Sequence, residues 1–252
     1  MLYDLPSELI NMIVLYLDGV DIINLTKASK YNQFVQILKK FDVSLIPAKA
    51  FDLIQILPLM KNLTMLNLSD AKLKSTSIIT IAQAIKEMPL LIDLNLNRIN
   101  TAEPMSFETT RALALSFPLN LESINFSENL VTSESAVLLF ESFQVMPKLK
   151  MLDMSYNDID DATIMVINTS FTSTSIINLN LEGNSMTRLI PTIRLIMHIP
   201  NLITLIFKDN KLNADDVEIL LQIVIAVTSV TKIDLSNESR GNLNFIITRR
   251  ML

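Results

Sequence analysis

The sequence predicts an α/β solenoid, a stack of strand–turn–helix units, on three observations. The first is a nine-residue pattern, L-x-x-L-x-Φ-x-x-N with Φ apolar, carried by Leu149, Leu152, Met154 and Asn157. Leu121, Ile124, Phe126 and Asn129 repeat it, as do Ile176, Leu179, Leu181 and Asn184, and Leu202, Leu205, Phe207 and Asn210. Weaker copies open at Leu63, Leu91 and Val230, with Ala71, Ile99 and Glu238 in place of Asn. The second is spacing: starts at 63, 91, 121, 149, 176, 202 and 230 differ by 28, 30, 28, 27, 26 and 28. Such constancy marks a repeat array. The third is an amphipathic stretch between motifs, with Ile78, Ile81, Ala82 and Ile85 on one stripe of 75–88 and Ala136, Val137, Phe140 and Phe143 on one stripe of 133–146.

Each motif has a physical reading. Its second and third apolar positions, such as Leu152 and Met154, recur at the period of a strand with one buried face. One such strand cannot bury its apolar side alone, so neighbours stack into a parallel sheet over a continuous core. The Asn falls where the chain turns off the strand, and its amide can satisfy backbone groups left unpaired there. Asn129, Asn157, Asn184 and Asn210 would then form a structural ladder. This pattern resembles the leucine-rich repeat family over about 63–238. The period of 26 to 30 resembles its longer, ribonuclease-inhibitor-like repeats, whose convex side is helical.

The connecting segments follow. Pro89, Pro118, Pro147 and Pro200 stand two or three residues before the next motif, where each ends a helix. Pro191 suits a first helical turn. Asn213 is placed to cap a helix with Asp215 and Asp216 in its first turn. Repeats four and five are short, so irregular convex elements are expected there. The tail at 241–252, with Phe245, Ile246 and Ile247, is expected to cover the open end of the stack.

Residues 1–45 do not follow the repeat. Pro6, Ser7 and Glu8 read as a helix start. Leu9, Met12, Ile13, Tyr16 and Leu17 then fall on one helical face. Asp21 can cap a second helix carrying Ile22 and Leu25, and a third spans about 32–40. Three short helices make a poor independent domain and need a partner or the solenoid end. A degenerate strand at 41–45 and a helix after Pro47 make 46–62 a helical junction, and 63–252 a solenoid of about seven repeats.

Leu5-Pro6-Ser7-Glu8-Leu9, then Ile13, Tyr16-Leu17, Asp21-Ile22, Leu25 and Ser29-Lys30, resemble an F-box. The Trp that usually follows the Ser-Lys pair is absent, and Tyr31 stands in its place. The fold class expected is therefore a leucine-rich-repeat solenoid with an N-terminal three-helix F-box. The resemblance implies that Leu5, Pro6, Leu9, Ile13, Leu17, Ile22 and Leu25 dock a Skp-type adaptor and through it a cullin. The repeats would then hold a target protein for ubiquitin transfer. The alternative is a non-catalytic repeat module whose N-terminal helices only cap the solenoid.

Composition excludes several function classes. Half of the 252 residues are hydrophobic, so a large core is available. Net charge is -5 and the basic residues are scattered, which argues against a nucleic-acid partner. With no cysteine and one histidine, His198, a zinc site cannot be built from the usual ligands. Three glycines leave no phosphate-cradling loop. No Ser-His-Asp context surrounds His198, which reads as a core or convex residue. No enzyme, catalytic residue, cofactor or metal is expected. The apolar run at 219–227 is too short to span a membrane. The N-terminus has no signal-peptide pattern, and the lack of cysteine suits the cytoplasm or nucleus. Asp160-Asp161 and Asp215-Asp216 read as helix-start residues.

The candidate binding surface is the concave face. By register, Asn67, Asn95, Asn125, Asp153, Asn180, Ile206 and Asp234 form one column there. Six of these seven are Asn or Asp. Two readings stand: a polar face chosen only for solvation, or a hydrogen-bonding groove for a target peptide.

Overall fold

The computed structural model describes residues 21–24, 38–43, 50–100, 103–236 and 246–248. Nine strands form one sheet in sequence order: β1 Lys40–Asp42, β2 Met65–Asn67, β3 Asp93–Asn95, β4 Ser123–Asn125, β5 Met151–Asp153, β6 Asn178–Asn180, β7 Thr204–Ile206, β8 Lys232–Asp234 and β9 Ile246–Thr248. Neighbours from β1 to β8 pair in parallel and in register, so Leu66, Leu94, Ile124, Leu152, Leu179, Leu205 and Ile233 align across the sheet. All seven are buried, while the residues flanking them are half-buried or exposed. That is the alternation the motif requires. The strand expected near 41–45 is β1, so the sheet begins inside the segment assigned to the N-terminal head. The tail supplies β9, which pairs antiparallel with β8 and covers the last parallel strand.

The convex side carries α1 Ala50–Ile56, α2 Ser75–Lys86, α3 Phe107–Ala114, α4 Ser133–Gln144, α5 Asp161–Ile167, α6 Leu189–Met197 and α7 Ala214–Val227. Ile78, Ile81, Ala82 and Ile85 are the buried stripe of α2. In α4 the stripe is Ala136, Leu139, Phe140 and Phe143, with Val137 only partly buried. Phe140 meets Phe143 at 6.0 Å and Phe171 at 5.2 Å edge to face, which ties neighbouring repeats together. The short repeats four and five are not irregular. They carry helices of 7 and 9 residues, against 12 in α4 and 14 in α7. Asp160 and Asn213 cap α5 and α7, accepting from the backbone N–H of Thr163 at 2.8 Å and Asp216 at 2.9 Å. Asp161 does more than favour a helix start. Its carboxylate accepts from the backbone N–H groups of Thr187 and Arg188, each at 3.0 Å, and so bridges to the next repeat.

The turn asparagines are buried and bond at both ends of the amide. The Nδ2 of Asn157 donates to the carbonyls of Phe126 (3.1 Å), Met154 (3.1 Å) and Ser155 (3.2 Å). Its Oδ1 accepts from the backbone of Asn129 (3.2 Å) and Val131 (3.1 Å). Asn129, Asn184 and Asn210 repeat the scheme, each reaching a carbonyl of the preceding repeat: Leu96, Met154 and Leu181. In the first two repeats Ala71 and Ile99 stand instead, and Ile99 is fully buried. Its N–H donates to the next rung, bonding Asn129 Oδ1 at 3.2 Å.

Beyond the strands the backbone ladder continues through a left-handed residue in each of the first six repeats: Asp70, Arg98, Glu128, Tyr156, Gly183 and Asp209. Glycine is used once in that row because Tyr156 lies over it. A Cβ on Gly183 would stand 2.4 Å from the Tyr156 ring, and its φ is +65°.

Of the N-terminal segment, residues 21–24 are helical. Ile22 is 7% exposed and counts among the buried apolar residues. Leu5, Pro6, Leu9, Ile13, Leu17 and Leu25 lie outside the described residues, as does Glu238.

Candidate functional site

The in-register sheet places Asn67, Asn95, Asn125, Asp153, Asn180, Ile206 and Asp234 at the third position of successive strands. All seven are half-buried on the concave side. The structure brings the first six together in the lining of one groove of about 340 Å3. Met65, Asp93, Ser123, Met151, Asn178 and Thr204 form the adjacent row of the same groove. Asp234 is not part of that lining.

Every Asn or Asp in the column has a local task that sequence reasoning missed. Each side-chain oxygen accepts the backbone N–H two residues on, closing an Asx turn as the chain leaves its strand. The pairs are Asn67 with Ser69 (3.0 Å), Asn95 with Asn97 (2.9 Å), Asn125 with Ser127 (3.0 Å), Asp153 with Ser155 (2.9 Å), Asn180 with Glu182 (3.0 Å) and Asp234 with Ser236 (3.1 Å). At Asn125, Asp153 and Asp234 the serine hydroxyl donates to the same oxygen at 2.6 Å. The signal was present in the sequence: Asn or Asp followed two residues later by Ser in four of the repeats. Solvation alone therefore does not explain the column.

What the groove can offer a ligand is what the turns leave over. Asn180 Nδ2 donates to Asp153 Oδ2 at 3.1 Å. Among the described residues the Nδ2 groups of Asn67, Asn95 and Asn125 make no hydrogen bond, and neither does the carboxylate of Asp93. The rim beside the groove is ionic. Glu182 accepts from Lys208 Nζ at 2.9 Å and from the Tyr156 hydroxyl. The Glu182 carboxylate pushes the Tyr156 phenol up to about 12, helped by burial and by Asp209 and Glu128. It also raises the Lys208 ammonium above its ordinary value. Arg98 bridges Asp70 at 3.3 Å and Glu128 at 3.7 Å. The exposed Arg98 pairs order the rim more than they stabilise the fold.

His198 caps the C-terminus of α6 and is half-buried, and its Nδ1 has no hydrogen-bond partner among the described residues. No group of three or more His, Asp or Glu side chains is arranged to hold a metal among the described residues. No helix among them is long and apolar enough to cross a membrane.

A parallel sheet in register, a helical convex side and a turn-asparagine ladder define a leucine-rich-repeat fold. Internalin C2 of Listeria monocytogenes has a similar fold, with a TM-score of 0.52 at 14% identity over 85% of this chain and 92% of that one. A chain of the mouse RP105/MD-1 complex aligns at a TM-score of 0.44 and 18% identity, over 68% of this chain and 26% of that one. In sequence, Receptor-like protein 1 of Arabidopsis thaliana is 39% identical over 126 residues, which is 48% of this chain. The chain spans only 11% of the length of that plant protein. No protein-family model matches the chain.

Proposed function

We propose that this chain is a non-catalytic binding scaffold whose concave face holds a segment of another protein. The observation that carries this is the groove itself. It runs unbroken over six strands, mixes apolar Met65, Met151 and Ile206 with unpaired amides, and is built from residues whose register the repeat enforces. Small pre-formed clefts with a few placed polar groups are what recognition sites look like. The test is a selection of displayed random peptides on the whole chain. Selected peptides should lose affinity about tenfold or more, ~1.4 kcal/mol, on a Met151→Arg/Ile206→Arg chain that melts like the wild type. Peptides that bind both chains equally would overturn the concave reading.

The N-terminal motif supports a more specific role. Its resemblance to an F-box leads us to assign residues 1–45 to a Skp-type adaptor, with a cullin beyond it. The chain then serves as the target-recognition subunit of a ubiquitin ligase, in the cytoplasm or nucleus. It performs no covalent chemistry and acts by proximity, holding target lysines near the charged conjugating enzyme. Leu5, Pro6, Leu9, Ile13, Leu17, Ile22 and Leu25 would make the docking face. Leu5-Pro6 separates this reading from a plain solenoid cap, because the pair precedes the first helix of the motif. Pull-down of a eukaryotic Skp adaptor should succeed with the wild-type chain and fail with Leu5→Ala/Pro6→Ala at unchanged melting temperature. A folded wild type that captures no adaptor, or a double variant that captures it equally, would leave the scaffold reading alone.

A further inference from the structure

We infer that repeats one to three form a carbonyl-recognising subsite, in which the amides of Asn67, Asn95 and Asn125 donate to the uncharged main chain of an extended peptide. This rests on the concave reading above and names the ligand chemistry of one part of that groove. In each of the three residues the Oδ1 is committed to its Asx turn, which fixes the rotamer and leaves the Nδ2 without a partner. A held amide with a free donor is already oriented for binding and loses little freedom when it bonds.

The far half of the groove differs. There Asp153 and Asn180 satisfy each other, and Ile206 breaks the polar column. The three donors therefore sit together at one end. Neighbouring strands lie ~4.8 Å apart, so the span from Asn67 to Asn125 is ~10 Å, about three residues of extended chain at ~3.3 Å each.

The charge of the acceptor follows from the lining. The charged groups of the groove are Asp93 and Asp153, both acidic, and no Lys or Arg lines it. A carboxylate or phosphate placed on the three amides would meet those carboxylates at close range, where like charges repel. A peptide carbonyl accepts the same hydrogen bonds without that penalty. Neutral carbonyls are the acceptors that fit.

The column supplies its own control. Asp153 and Asp234 close the same turn as the asparagines, so Asp at 67, 95 and 125 keeps the Oδ1 acceptor while removing the donor. The probe is a blocked peptide of uncharged residues, selected by display on the whole wild-type chain and measured by fluorescence polarisation. We expect Asn67→Asp/Asn95→Asp/Asn125→Asp to weaken it by about tenfold or more in a chain that still unfolds cooperatively, its melt lowered by repulsion among the added carboxylates. Equal affinity for the triple variant, together with loss on Met151→Arg/Ile206→Arg, would overturn this subsite and keep the groove. Failure to select any uncharged peptide, when charged ones bind the groove, would overturn it in the same way. A peptide indifferent to both sets of changes would remove the groove reading and this subsite together.

Discussion

Asn157 and Asn125 are the same side chain in two rows of the solenoid, one buried in the turns and one open to the groove. Asn157 uses its amide at both ends, giving Nδ2 to three carbonyls and taking two backbone N–H groups on Oδ1. Asn125 uses only Oδ1, toward Ser127. The substitutions found in each row follow from that difference. Where only the acceptor matters, Asp appears, at 153 and 234. In the turn row Asp does not appear among the described residues, because a carboxylate cannot donate to carbonyls and would be buried among them. Among the described residues the row changes instead to Ala71 and Ile99, whose side chains make no hydrogen bond and pack against the core. One row holds the fold together, and the other holds its turns and keeps a donor in reserve.

The largest effect that this contrast predicts is at Asn157→Asp. An uncompensated buried charge facing three carbonyls should cost about 3–5 kcal/mol in a urea melt, or prevent folding near neutral pH. Next is Asn157→Ala, which strands the same backbone groups without adding charge. It should cost roughly 1–3 kcal/mol, and an unchanged midpoint would argue that the ladder is dispensable. Asn125→Ala removes one Asx turn at the half-open face. A loss of about 0.5–1.5 kcal/mol is expected, smaller than at Asn157.

The smallest effect is one of pH. Two hydrogen bonds from Thr163, side chain first and then backbone, hold the Asp160 carboxyl below its ordinary value, and Ser133 adds a third. A depressed folded-state value favours the native chain above the unfolded-state value, and that contribution fades as pH falls through the folded one. Asp160→Asn keeps a capping oxygen but cannot titrate. Stability measured from neutral pH down into the acid range should therefore fall less steeply in Asp160→Asn than in the wild type. Parallel curves would mean that the cap carries no charge-dependent stability.

Much of this architecture was legible because a repeat states each rule several times. The motif located the strands and their register, and prolines located the helix ends. A single weak copy would have said little, whereas Leu152 with its equivalents in six other repeats pins the buried row. Helix stripes are less exact: at α4 Leu139, three residues on from Ala136, completes the buried stripe in place of the expected Val137, since spacing alone does not fix how a helix rolls against the sheet. Shorter repeats suggest irregular elements because length gives no sign of capping, and Asp160 caps α5, which runs over only 7 residues. The Asx turns do not show in the strand register, which says only which residues face the groove; their sign is the Ser two places on.

The most direct test of the contrast is a pair of melts, Asn157→Asp beside Asn125→Asp, in the same buffer at neutral pH. The two changes are chemically identical and lie one repeat apart. The difference in hydrogen-bond use predicts that Asn157→Asp unfolds far below the wild type while Asn125→Asp melts with it. Equal losses in both, or a stable Asn157→Asp, would contradict the division of labour between the two asparagine rows.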